Sequence, residues 1–156
     1  MSEPKRTRTF TWQDPMPSAQ QAVALSGLEF FQKMLAGEIP PPPIAKQINM
    51  QLTEASEGRI VFTAEPAEYH YNPIGVVHGG IAATLCDSAM GCAVQSTVPA
   101  GMGYTTVELS VNYTRAITGQ TGLLRCIGTV LHRGRRIATA EAKLIAAHDK
   151  LYAHGT

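Results

Sequence analysis

The run from Asn72 to Asp87, Asn-Pro-Ile-Gly-Val-Val-His-Gly-Gly-Ile-Ala-Ala-Thr-Leu-Cys-Asp, combines residue types and spacing that can do chemistry. Asn72 supplies an amide, Gly75 marks a turn, and His78-Gly79-Gly80 opens an apolar run that reads as a helix. Asp87 follows His78 by nine residues. A helix start presents free backbone N–H groups and the positive end of the helix dipole. A carbonyl oxygen placed there is polarised. An acid further along the helix can act as a base or a nucleophile. The pairing points to acyl-transfer chemistry and, within it, to hydrolysis. Gly79 and Asp87 are eight residues apart, which is about 12 Å along a helix axis at ~1.5 Å per residue. An aspartate side chain does not span that distance. If both groups act on one carbonyl, they come from two chains whose central helices run antiparallel about a two-fold axis.

Other residues need weighing against plainer roles. His132-Arg133-Gly134-Arg135-Arg136 reads as a hairpin turn, and Arg115 adds a further cation. Guanidinium groups suit phosphates through paired hydrogen bonds, although a solvated turn accounts for the same run. His78 reads as a ring that bonds backbone and fixes the turn before the helix, with a base as the sharper alternative. Tyr69 and Tyr71 either line an acyl pocket or pack their loop. His70, His148 and His154 lack a metal-binding pattern. Cys86, Cys92 and Cys126 give neither metal spacing nor an even disulfide count. They read as small buried hydrophobes in a reduced, cytoplasmic compartment.

The elements that must position these groups follow from periodicity. A helix is expected from Pro17 to Gly37, capped by Ser18, with Ala24, Leu28, Phe31 and Leu35 on one face. Pro40 to Pro43 read as a stiff extended connector. Alternation predicts strands at Ile48–Thr53 and Ile60–Glu65, with a turn at Glu57-Gly58. Residues 66–77 read as a loop. A long helix rich in small residues spans about Gly79 to Thr97. Further strands are expected at Thr106–Tyr113, Gly122–Leu131 and Arg136–Ala147, with a last segment at 151–156 extending a strand. Ala138, Ala140, Ala142 and Leu144 share one face and suit a helix lying close. The economical α+β solution is an antiparallel sheet curled around the central helix.

Bulk numbers narrow the classes. The 156 residues suggest one domain, read as 17–156 after a flexible lead-in at 1–16. Hydrophobic content of 44% and charged content of 16% suit a globular chain. A net charge of +1 gives no basic field for nucleic acid. No apolar run approaches the ~18–20 residues of a membrane span.

Asn-x-x-Gly-x-x-His-Gly-Gly, the acid nine residues after the histidine, and the strand Val107-Glu-Leu-Ser-Val-Asn-Tyr113 together resemble the hotdog-fold acyl-CoA thioesterases of the PaaI-like group. The resemblance covers residues 44–156, with the N-terminal helix (17–37) as an addition. It implies a curved antiparallel sheet wrapped around a long helix, a homodimer or dimer of dimers, and active sites at subunit interfaces. It also implies hydrolysis of an acyl-CoA, with no cofactor apart from the CoA of the substrate, no metal and no membrane partner. Asp87 takes the position of the catalytic helix acid and Gly79 that of the backbone N–H donor to the thioester oxygen. Asn72 orients substrate or water, and Thr106 supports the acid. Tyr113 to Thr118 and Arg133 to Ile137 fall on segments that hold the CoA nucleotide. In a related branch the acid is Glu with a Thr one turn later, whereas this chain has Asp87 and Gly91. The alternatives are a non-catalytic acyl-CoA binding module and a hydratase or dehydratase on the same fold.

Overall fold

The computed structural model describes residues 4–156. The expected N-terminal helix is two helices, α1 (Met16–Ala24) and α2 (Gly27–Leu35). Ser26 interrupts it and caps α2: its Oγ accepts from the Glu29 N–H, and the Glu29 carboxylate accepts from the Ser26 N–H. That reciprocal box holds residue 26 in an extended conformation, which no continuous helix allows. Ser18 lies inside α1 and does not cap it; Pro15 stands at the cap. The expected proline connector is shortened from its far end, because Pro43 begins a short helix, α3 (Pro43–Gln47). Proline tolerates a first helical turn, where its missing N–H would be unpaired anyway.

Strands β1 (Met50–Ser56) and β2 (Arg59–Ala64) form the expected hairpin. Ile48 lies outside it, as the C-cap of α3. The long helix α4 (Gly79–Gln95) follows. Four strands complete the chain rather than three: β3 (Val111–Tyr113), β4 (Leu124–Arg133), β5 (Ala138–Ala146) and β6 (Lys150–Gly155). Residues 150–155 form a separate strand, paired with both β5 and β3. All pairs are antiparallel, in the order β1-β2-β4-β5-β6-β3.

The sheet wraps α4, which packs against β2, β4 and β5. Ala82, Leu85, Cys86, Ala89 and Ala93 are buried on the helix. Ala140, Ala142 and Leu144 meet it from β5 and are also buried. The approach is close enough that a side chain at Gly128 on β4 would overlap the Ala89 carbonyl.

The expected strand at Thr106–Tyr113 is only partly paired. Residues 111–113 form β3, and Ser110 exchanges backbone bonds with Thr156. Among the described residues no backbone group from Gly103 to Leu109 finds a backbone partner. This stretch is extended and exposed, with Val107 82% accessible.

Candidate active site

The start of α4 is built by the loop before it. The Asn72 Oδ1 accepts from the Ile74 and Val76 N–H groups at 3.1 and 3.3 Å, closing a tight turn. His78 is the N-cap, and its Nδ1 accepts from the Gly80 N–H at 2.9 Å. The His78 carbonyl accepts from Ile81 at 2.9 Å. The Gly79 N–H is thereby left without an acceptor among the described residues. It sits at the positive end of the helix dipole, the position where a developing oxyanion is best stabilised. The Tyr113 ring lies over Gly79, 3.3 Å from where a Cβ would stand, so a small side chain would fit only with a slight shift of the ring. A cavity of about 350 Å³ opens at this point, and Asn72, His78, Gly79, Tyr113 and Arg115 all line it.

Asp87 stands two turns down the helix and is half-buried. The Thr106 hydroxyl donates to its Oδ1 at 2.8 Å. Among the described residues no cation pairs with Asp87, so its second oxygen is open. Thr106 belongs to the exposed, unpaired stretch described above.

Arg133, Gly134, Arg135 and Arg136 lie at the exposed β4–β5 hairpin, where the Gly134 N–H donates to the Ile137 carbonyl at 2.8 Å. The Val130 N–H donates to Gly58, whose own N–H donates to the Ser96 hydroxyl. The hairpin therefore sits beyond the C-terminal end of α4. Helix α4 has 17 residues, so it runs about 25 Å at ~1.5 Å per residue. One chain thus gathers Asn72, His78, Gly79, Tyr113 and Arg115, holds Asp87 with Thr106 separately, and sets the arginine hairpin at the far end. Tyr69 and Tyr71 pack their loop: the Tyr69 hydroxyl bonds the Asn49 amide, and the Tyr71 hydroxyl accepts from the Gly119 N–H.

Tyr104 did not emerge from the sequence. Its ring lies against Gly91, where any side chain would overlap the hydroxyl. Its hydroxyl meets the Cys92 thiol; burial pushes that thiol's pKa up to about 12, so it stays neutral. A glycine inside a helix is the sequence signal for such a close approach. Among the described residues no cluster of His, Cys, Asp and Glu could hold a metal, and no helix is long and apolar enough to cross a membrane.

The antiparallel sheet wrapped around the long helix α4 defines a hotdog-fold protein. The family model of the thioesterase superfamily matches residues 74–153, and the chain belongs to that superfamily. A phenylacetic acid degradation-related protein of Ralstonia eutropha superposes with a TM-score of 0.72 at 26% identity, over 80% of this chain and 94% of the other. The Streptococcus mutans protein smu.793, solved bound to acetyl CoA, superposes with a TM-score of 0.62 at 26% identity, over 69% and 83%. A 1,4-dihydroxy-2-naphthoyl-CoA hydrolase of Listeria monocytogenes is 24% identical over 69% of this chain and 86% of its own length.

Proposed function

We propose that the protein hydrolyses acyl-CoA thioesters at a site shared between two copies of the chain. The observation that carries this reading is the unpaired Gly79 N–H at the start of α4, with a hydroxyl-supported Asp87 eight residues further on. Neither group reaches the other within one chain. The unpaired edge from Gly103 to Leu109 supports a dimer, because an exposed edge strand is a template for another chain. Antiparallel pairing of two such edges about a two-fold axis sets one subunit's Gly79 against Asp87 of the partner subunit. It also moves the partner's arginine hairpin toward this subunit's Arg115, giving the CoA phosphates cations from both chains. The acetyl CoA seen in smu.793 and the CoA-thioester hydrolase name of the Listeria relative favour an acyl-CoA substrate.

In this scheme the thioester oxygen accepts from Gly79, and Asn72 and Tyr113 border the carbonyl. The Asp87 Oδ2 either takes a proton from the attacking water or adds to the carbonyl carbon itself. In the first route the carbon–sulfur bond then breaks, and the proton held by Asp87 passes to the departing CoA thiolate. In the second, cleavage leaves an Asp87–acyl anhydride. A water then hydrolyses it, regenerating the carboxylate, freeing the acid and supplying the proton that the CoA thiolate takes up. No cofactor is needed beyond the CoA that the substrate carries. The test is release of free CoA, read with a thiol-reactive dye across acyl-CoAs, for wild type and Asp87→Asn. Release by wild type that collapses in the variant is expected. No release from any acyl-CoA would overturn the proposal.

A further inference from the structure

A second, larger cavity of about 570 Å³ lies on the other side of Asp87, beneath α1 and α2. Its size falls within the ~300–1,000 Å³ of small-molecule sites. Interiors are close-packed and hold few voids larger than a water molecule. The space is an apolar cleft open to solvent along one side rather than a sealed void in the core, so a ligand can enter it. Its walls include five segments distant in sequence, with Ala22 on α1, Phe31 and Met34 on α2, Leu52 on β1, Cys92 on α4, and Tyr104 beyond it. Among the described residues Asp14 is the only charged one on its lining, and that carboxylate already accepts from the Met16 N–H at 2.9 Å.

Two wall residues fix where the cavity begins. Ser88 lines it and directly follows Asp87; Tyr104 lines it and lies two residues before Thr106. Neither Asp87 nor Thr106 lines the chamber, but the Asp87 charge lies close enough to the wall residues Cys92 and Tyr104 to act on both, so the carboxylate stands near its margin. We propose that this chamber receives the acyl chain of the substrate, an uncharged aliphatic tail running away from Asp87, and that α1 limits the length of chain accepted.

The position of α1 fits that role. It contains no buried residue, and a nine-residue helix is marginal on its own. One anchoring bond is the Gly101 N–H donating to the Val23 carbonyl at 2.8 Å. Ser18 and Ala22, one turn apart and half-buried, both line the chamber. Ala22 packs against the core, and a tail beneath α1 would add to the few apolar contacts that hold this helix. A carboxylate-tipped or strongly polar acyl group would find no partner there.

The identity of the chain as part of a CoA ester rests on the hydrolase reading; the apolar chemistry of the chamber does not. The test uses Ala22→Trp and Ser18→Trp, two variants on a helix without buried residues, so a folded core is retained in at least one. CoA release is measured for acetyl-, hexanoyl-, decanoyl- and palmitoyl-CoA. In wild type kcat/KM should climb with chain length by up to about fourfold per methylene while the chain still fits. In the variants the climb should stop at a shorter chain, lowering the decanoyl-to-acetyl ratio at least tenfold. Identical chain-length profiles in wild type and both variants would overturn the proposal. If wild type hydrolyses no acyl-CoA, the hydrolase reading fails separately, and titration with the fluorescent fatty acid cis-parinaric acid decides the chamber. Saturable binding weakened in the variants supports it; absent or unchanged binding overturns it.

Discussion

The two cavities beside α4 differ in how they are made. The smaller one, at the start of the helix, is the more polar of the two and comes from the compact segments 72–82 and 113–117. Its key donor is a backbone group freed because His78 satisfies the neighbouring N–H. The larger one is apolar and needs α1, α2, β1 and α4 to meet. The first is suited to stabilising charge at one atom. The second offers area and no direction. Loss of a group at the polar end should lower turnover by a similar factor for every acyl chain, whereas filling the chamber should discriminate among chains. That contrast can be broken experimentally.

The largest effect is expected from Asp87→Asn, which keeps shape and removes the base. General acid–base groups contribute about 10²–10⁴-fold, so kcat should fall by that order for acetyl- and decanoyl-CoA alike. A loss confined to long chains would mean that Asp87 belongs to the chamber rather than to the chemistry. A single turnover in ¹⁸O-labelled water sharpens the result. Label on Asp87 with an unlabelled product acid indicates direct attack with the anhydride opened at the aspartyl carbon. Label only in the product fits activated water or an anhydride opened at the acyl carbon, and trapping the acyl-enzyme with hydroxylamine separates those two.

Gly79→Pro comes next. Proline is well tolerated at a first helical position, and His78 already has the extended conformation that a following proline demands (φ −58°, ψ 133°). The substitution therefore removes the N–H with little change of backbone. Removal of one oxyanion donor costs about 10²–10³ in kcat. Gly79→Ala is the control: it adds a carbon against the Tyr113 ring but keeps the donor. Pro and Ala variants of equal activity would remove Gly79 from the mechanism.

Thr106→Val deletes the 2.8 Å bond to Asp87 at nearly constant volume. A hydrogen bond to a charged group is worth about 1.5–3 kcal/mol. Because Thr106 is exposed within one chain, the lower end applies, or about tenfold in kcat. The loss should again be the same across chain lengths, and Thr106→Ser should restore most of it.

The polar end was legible in the sequence because it is written in one continuous motif. Asn72, His78 and Gly79 are neighbours in sequence, and helix geometry alone separates Gly79 from Asp87. The chamber was not legible, since its walls come from segments up to about ninety residues apart in sequence. The helix pattern Ala24, Leu28, Phe31 and Leu35 keeps its period straight through the break at Ser26. Only the Ser-x-x-Glu box, a local hydrogen-bond device, reveals two helices. Strand β3 falls short of the alternation that predicts it because an edge strand needs a partner, and the single chain offers one only from Ser110 onward.

The smallest effect concerns the loop that leads into the polar end, and it is a matter of stability rather than rate. His70 is 6% exposed. Its Nδ1 accepts from the Ala67 N–H at 3.1 Å, its Nε2 lies 3.3 Å from the Gln47 carbonyl, and its own carbonyl accepts from the His78 N–H at 2.8 Å. The ring is bonded as a neutral imidazole, since protonated Nδ1 would cease to accept. Burial holds its pKa below the ordinary 6.5; the Gln47 bond opposes that shift and the Arg8 charge assists it. A pKa lower in the folded chain than in the unfolded one means that the unfolded chain binds the proton first as pH falls. The stability contributed by neutral His70 is therefore complete above about pH 6.5 and is lost as pH drops through the folded value. The Tm should decline below that pH, and His70→Gln should flatten this part of the profile. A Tm profile of wild type that the substitution leaves unchanged would remove His70 as the source. The chamber variants, which leave this loop untouched, should keep the wild-type pH dependence of Tm.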